Sequence, residues 1–238
     1  MIKTSRDSDV AVIEIDRHER RNALNVDLCH AMHDAVLEQG AAGVRAIVIT
    51  GAGSSFCSGA DLGAVYGETF REALYSMLHA ITEVGVPVIA AINGPAIGAG
   101  TQLAIACDLR VAAPGAAFAV PTARLGLAVD LWTVRRLVTL CGGGTAQALL
   151  IGCDTLDAAG ALRCGLASRL GDRDAALAWA RELSVLAPVT LAYSKMVLNE
   201  SADDDELVKA FEACWVSDDS TEGQRARAEK RPPRFRGR

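Results

Sequence analysis

The chain has 238 residues, half of them apolar, and a formal net charge of −5. That length supports one sizeable core, or a core with a small appendage. The acidic balance argues against a nucleic-acid binder working through a basic surface, and no run of about 18 residues is free of the polar breaks that a membrane-spanning helix avoids.

The opening "MIKTSRDSDVAVIEID" carries charges that interrupt any signal-peptide apolar region, so a soluble, cytoplasmic protein is expected. Within it, Val10 to Asp16 is β-branched and nearly alternating, which predicts a strand. "RHERRNALN" follows as a polar turn, and Asn25 or Asp27 can cap a helix running to about Gln39. Arg45 to Gly51 reads as a buried strand that empties into the glycine- and serine-rich loop "GAGSSFCSGADL", and a helix is predicted from Glu68 to Val84. Val86 to Gly94 repeats the pattern: an apolar strand, a second glycine-rich loop, then a helix beginning near Gly98 or Gly100. Short strands at "DLRVAA" and "AAFAV" precede a helix from about Trp132, and "LASRLG" is the last predicted strand. Beyond Asp172 the pattern is helical, over 174–187, 189–201 and 205–216. The order is α/β first and helical last, with a division placed between 1–185 and 186–238.

A glycine loop after a buried strand brings backbone N–H groups close to an anionic or polarised oxygen. "GAGSSF" lacks the third glycine of a dinucleotide fingerprint, and neither loop ends in the Lys-Ser/Thr of a P-loop, so nucleotide folds fit poorly. A plain tight turn is the competing reading for each loop taken alone.

The stretches "RNALN", "FCSGADL", "AINGPAIGAGTQLAIACDLRVAA", "LGLAVDLWTVRRL" and "SDDSTEGQRARAEKRPPRFRGR" occur in that order, and together the chain resembles the crotonase (enoyl-CoA hydratase/isomerase) superfamily. The resemblance covers nearly the whole sequence. It implies an α/β fold, a spiral of β-β-α turns with a C-terminal helical region used in trimerisation, and a homotrimer or homohexamer. It also implies an acyl-CoA partner, the coenzyme A thioester being ligand or substrate and no separate cofactor being needed. By motif the oxyanion-hole donors fall on the backbone N–H groups of Ala60 and Ala99, and Ala99 stands at a helix start whose dipole favours negative charge. The resemblance assigns coenzyme A contacts to Ala23, Asp61, Leu62 and Lys230, and Arg21 is placed to meet a phosphate or to stand as a solvated loop charge.

Hydrating an enoyl thioester takes a base for water and an acid for the α-carbon, and the family's hydratases use two glutamates. At their positions this chain has Gln102 and Thr122, neither of which ionises near neutral pH. Asp130 falls where the family's dienoyl isomerases and aryl dehalogenases carry an aspartate; it either acts as base or nucleophile or caps the helix that follows it. Trp132 replaces a glycine common there, and either narrows the acyl pocket or fills core.

Seven cysteines (Cys29, Cys57, Cys107, Cys141, Cys153, Cys164 and Cys214) without C-x-x-C spacing suit neither a disulfide framework nor a zinc site. His30 and His33 lie three apart on one helix but lack a third ligand, so no metal is expected. Asp61 and Asp108 read as residues that fix loop geometry. The basic end, Arg225 to Arg238, is expected to be a solvated tail or, given Lys230, to meet a phosphate.

Overall fold

The computed structural model describes residues 1–61, 63 and 66–238. Strands β1 (Ile2–Asp7) and β2 (Val10–Ile15) form an antiparallel hairpin. The chain then makes a single bridge at Leu24 and enters α1 (Val26–Ala41), where the Asn25 side chain accepts from Leu28 N at 2.9 Å as the cap. Three more turns repeat this path. β3 (Ala46–Gly51) leads through a bridge at Cys57 to α2 (Glu68–Glu83); β4 (Val88–Ile92) leads through β5 (Pro95–Ile97) to α3 (Ala99–Ala106); β6 (Leu109–Ala112) leads through β7 (Ala117–Ala119) to α4 (Leu131–Leu150). Each turn lays one strand in a first sheet, drops to a second layer and returns through a helix, which is the β-β-α spiral that the resemblance implied. β8 (Thr155–Asp157), α5 (Ala158–Cys164) and the two-residue β9 (Arg169–Leu170) complete this part.

The first sheet runs β1-β2-β3-β4-β6-β9, parallel from β2 onward, and the second runs β5-β7-β8. In the second layer Leu24 bridges Ala60 and Cys57 bridges Ala96 beside β5, so the layer extends as single rungs across the earlier turns. The central strands are apolar on both faces because both are covered. One face carries the main core, with Ile13, Ile47, Ile49 and Ile92 against Met32, Phe56, Met77 and Ile81; the other carries Val10, Val12, Val48 and Ile89 against Ala176 and Ala180 of α6 (Arg173–Ser184). Small side chains on α6 let the helix lie close to the sheet.

Helices α7 (Pro188–Asn199), α8 (Asp204–Val216) and α9 (Asp218–Ala228) finish the chain. α7 is pinned to the core by Lys195, whose Nζ reaches Ile81 O, Val86 O and Asp108 Oδ2 at 2.9, 3.0 and 2.9 Å. α8 keeps no side chain buried, and Val208, Phe211, Trp215 and Val216 stand exposed along it.

The sequence predicts neither β1, β5, β8, α5 nor α9, and its single strand over Val86–Gly94 is shorter, at Val88–Ile92. The basic end is also not a loose tail. Arg231 forms a fork on Glu222 at 2.6 and 3.0 Å, while Asp219 accepts from Arg236 N and Gly237 N at 2.6 and 3.0 Å. Phe235 lies against Gly223. The strap folds back because acidic side chains at the start of α9 supply acceptors for its unpaired backbone N–H groups. Among the described residues no single helix is long and apolar enough to cross a membrane.

Candidate functional site

Two loops from adjacent turns of the spiral meet at one point. Ser58 N donates to Arg21 O at 3.0 Å, Leu24 N to Gly59 O at 2.8 Å and Asp61 N to Leu24 O at 2.7 Å, which sews "RNALN" to "FCSGADL". Buried Asn22 completes the seam, its Nδ2 donating to Ala52 O and Ser55 O at 2.9 and 2.8 Å. On the other side, Cys57 N donates to Pro95 O and Ile97 N to Cys57 O, which brings the start of α3 alongside.

Gly59 (φ +109°) and Gly100 make this approach possible. A Cβ on Gly59 would stand 2.9 Å from Ile97 O and 3.9 Å from Ala99 N, and one on Gly100 would stand 2.1 Å from Cys57 O. Between its two bonded neighbours the N–H of Ala60 is left over, and Ala99 N is the first donor of a helix. Among the described residues neither has an acceptor in the chain. Both residues line the same cleft.

The cleft has a free volume of about 160 Å³. Its walls are apolar, from Phe70 and Leu74 of α2 and from Ile97, Leu125, Leu127 and Val129. Gln102 and Thr122 both line it, together with Tyr75, to which no sequence signal pointed. Tyr75 stands on α2 among core leucines, where a tyrosine is as common as filler. Burial, with the Asp130 carboxylate adding to it, pushes the Tyr75 phenol up; the backbone of Asp130 and the side chain of Gln102 oppose the shift.

Asp130 caps α4. Its Oδ1 accepts from Thr133 N at 3.3 Å and, in a short contact, from the Thr133 hydroxyl. Thr133 Oγ1 in turn accepts from Gln102 Nε2 at 2.8 Å. Gln102, Thr133 and Asp130 thus form one chain of hydrogen bonds that leads from the cleft wall at Gln102 through buried Thr133 to the cap of α4, and the Asp-x-x-Thr spacing at a helix start was the signal that could have marked Thr133. Trp132 is not in the cleft. One residue into α4 it stands beside Arg135, Arg136 and Leu198 and packs, partly buried, against the main core; the helix's 100° step between neighbours turns it away from Thr133.

The rim carries most of the other expected residues. Arg21 is exposed in a left-handed turn (φ 51°), and Ala23 O accepts from Arg17 Nη1 at 2.9 Å. Asp61 pairs with Arg17 Nη2 at 2.9 Å, and that bond holds its carboxyl below the usual carboxylate range. Asp61 and Asp108 therefore fix loops: Asp108 Oδ2 accepts from Val88 N at 2.7 Å as well as from Lys195. Leu62 lies outside the described residues. Lys230 follows α9 and is not among the cleft's lining residues. His33 bonds to Asp34 at 2.9 Å, and among the described residues no three His, Cys, Asp or Glu side chains are grouped to hold a metal ion.

At its far end α3 is held by two arginines. Buried Arg110 donates to Cys107 O at 2.8 Å and to Leu166 O at 2.5 Å, and Arg136 donates to Ile105 O at 3.2 Å. Cations at a helix C-terminus suit its dipole, and here they also fix the helix along its axis.

Residues 5–238 match the family model described as enoyl-CoA hydratase/isomerase. The chain is 45% identical over 242 residues, covering all of both proteins, to a Mycobacterium tuberculosis protein named "Probable enoyl-CoA hydratase echA6". It is 34% identical over 248 residues to the crotonyl-CoA hydratase of Syntrophomonas wolfei, covering 97% of this chain and 95% of that one. Among solved structures, an enoyl-CoA hydratase from Bacillus anthracis superposes with a TM-score of 0.89 at 28% identity, covering 100% of this chain and 99% of the other.

Proposed function

Because the chain belongs to the enoyl-CoA hydratase/isomerase family of acyl-CoA metabolism, we propose that it binds acyl-CoA thioesters in this cleft and does not perform ordinary hydration. The observation that carries the reading is the Gln102–Thr133–Asp130 chain. The thioester carbonyl would lie between Ala60 N and Ala99 N, two donors that cost no reorganisation when charge builds on its oxygen. The acyl chain would run along Phe70, Leu74 and Val129, and coenzyme A would meet the loop seam at Arg21, Ala23 and Asp61, beside Ser58 and Ala60 of the cleft wall. What is missing is proton transfer. Gln102 is an amide, one of its two N–H groups bonded to Thr133, and Thr122 is an alcohol.

Exposed Phe211, Trp215 and Val216 support assembly into a trimer or hexamer that covers this apolar face and lets Lys230 of one subunit approach the coenzyme A of another. A cytoplasmic site of action accompanies this reading. Calorimetric titration with butyryl-CoA is expected to give saturable binding, and crotonyl-CoA is expected to keep its enone absorbance. Rapid loss of that band in pure protein overturns the reading.

A second reading rests on Asp130, whose Oδ2 has no donor among the described residues. In an isomerase, dehalogenase or thioesterase of this family that oxygen would act as base or nucleophile. Turnover of an acyl-CoA panel that disappears in Asp130→Asn supports it.

A further inference from the structure

A second recess, with a free volume of about 610 Å³, lies between α9 and the C-terminal strap. It shares no lining residue with the cleft at Ala60 and Ala99. The charge of the chain is divided sharply here. Residues 225–238 hold seven of its 24 Lys and Arg and one of its 29 Asp and Glu, so the side chains of this end carry +6 and those of residues 1–224 carry −11.

Inside the recess the carboxylates are already committed. Glu222 takes the Arg231 fork and the N–H of Arg234, Asp219 takes the N–H groups of Arg236 and Gly237, and Asp218 faces Arg238 Nε at 3.5 Å. The exposed guanidiniums of Arg225, Arg234 and Arg236 line the same recess and have no acceptor among the described residues. Two of the three are fixed at the main chain, because the N–H groups of Arg234 and Arg236 tie the strap to α9 at 2.9 and 2.6 Å. The cluster is therefore assembled by the fold, and little backbone ordering is left for a ligand to impose.

We infer that this recess binds a compact polyphosphate anion, with Arg225, Arg234 and Arg236 as the side chains that ligate it. A guanidinium presents paired N–H donors that match two phosphate oxygens, and Thr221 adds a hydroxyl at the same place. Five arginines against three acids leave the lining at +2, which calls for an anion of at least two charges. A recess favours a free anion over a membrane, since a flat headgroup layer does not enter it. Arg227 and Lys230 do not line it, so it is separate from the approach of Lys230 to coenzyme A.

The test is calorimetric titration of the full-length protein with inorganic pyrophosphate, alone and after saturation with butyryl-CoA. Pyrophosphate is expected to bind in both cases, and its affinity is expected to fall at least about tenfold in the triple variant Arg225→Gln, Arg234→Gln, Arg236→Gln. That variant keeps the backbone donors to Glu222 and Asp219, and its butyryl-CoA affinity is expected to match the wild type. Displacement of pyrophosphate by butyryl-CoA places the anion in the coenzyme A site and overturns the inference; so does equal pyrophosphate affinity in the variant, or no binding at all. Sedimentation with phosphatidylglycerol vesicles in place of pyrophosphate binding identifies a lipid surface and overturns it as well. Where butyryl-CoA does not bind, the variant comparison decides alone.

Discussion

Gln102 and Thr133, thirty-one residues apart, share a buried hydrogen bond of 2.8 Å whose donor is the amide. Its direction is dictated by Asp130, which takes the only proton Thr133 has. Replacing the amide by a carboxylate therefore does more than restore an acid.

In Gln102→Glu the new carboxylate would face Thr133 Oγ1, a lone pair with no proton to give, with the Asp130 charge behind it. Its pKa is expected to lie above the ordinary glutamate value. A group with a raised folded pKa adds stability that is complete below its unfolded pKa and is lost as pH rises through the folded one. The variant's melting temperature should match the wild type in acid and fall below it toward neutral pH. A uniform offset across pH would contradict the direction assigned to this hydrogen bond.

Gln102→Glu alone is expected to give no hydration of crotonyl-CoA, because Thr122 still offers no ionisable partner. Gln102→Glu with Thr122→Glu is expected to give measurable loss of the enone band, since the carbonyl donors at Ala60 and Ala99 are backbone groups already present. Failure of a folded, acyl-CoA-binding double variant to turn over would count against the carbonyl position.

Gly59→Ala places a Cβ at 2.9 Å from Ile97 O in a backbone region that favours glycine. The loop must move, and Ala60 N moves with it. A stability loss of about 1–3 kcal/mol is expected, together with a loss of acyl-CoA affinity larger than that of an equally destabilising core variant such as Ile13→Val. Chemical denaturation and calorimetry separate the two effects.

Lys195→Met leaves the Asp108 carboxylate partly buried without its cation, and frees Ile81 O and Val86 O. A loss of about 3 kcal/mol is expected from denaturant unfolding. Asp108→Asn with Lys195→Met should recover part of it, because the orphaned charge is gone.

The C-terminal strap depends on Glu222, which Arg231 and the backbone of Arg234 hold down at about 2 against an ordinary 4.5. A lowered folded pKa means that the contribution is complete above about 4.5 and is lost as pH falls toward about 2. Amide exchange at Arg234, whose N–H donates to Glu222 at 2.9 Å, should lose protection through that window. In Glu222→Gln this dependence should be absent.

The long elements were readable because each declares itself locally. β3 and β4 are uninterrupted apolar runs, Asn25 is a cap before an amphipathic helix, and the glycine loops follow their strands. The second layer was not, since β5 and β8 have three residues each, too few for alternation to show, and Leu24 and Cys57 join it as single rungs. α9 has only Asp219 and Ala226 buried, so no apolar stripe marks it; its order comes from Glu222 and Asp219 meeting the strap. The cleft's polar end was half legible. Gln102, Thr122 and Asp130 stand at motif positions, whereas Tyr75 and Thr133 are recruited by the packing of α2 and α4 against α3.

The two carbonyl donors are main-chain atoms held by the seam between loops. A codon change at position 60 or 99 leaves either donor in place unless it introduces proline, which has no N–H to give. The residues at positions 102 and 122 have no such insurance, because one replacement there abolishes proton transfer outright. In this architecture the grip on a thioester and the chemistry performed on it can be lost separately, and the chemistry is the more fragile of the two under mutation.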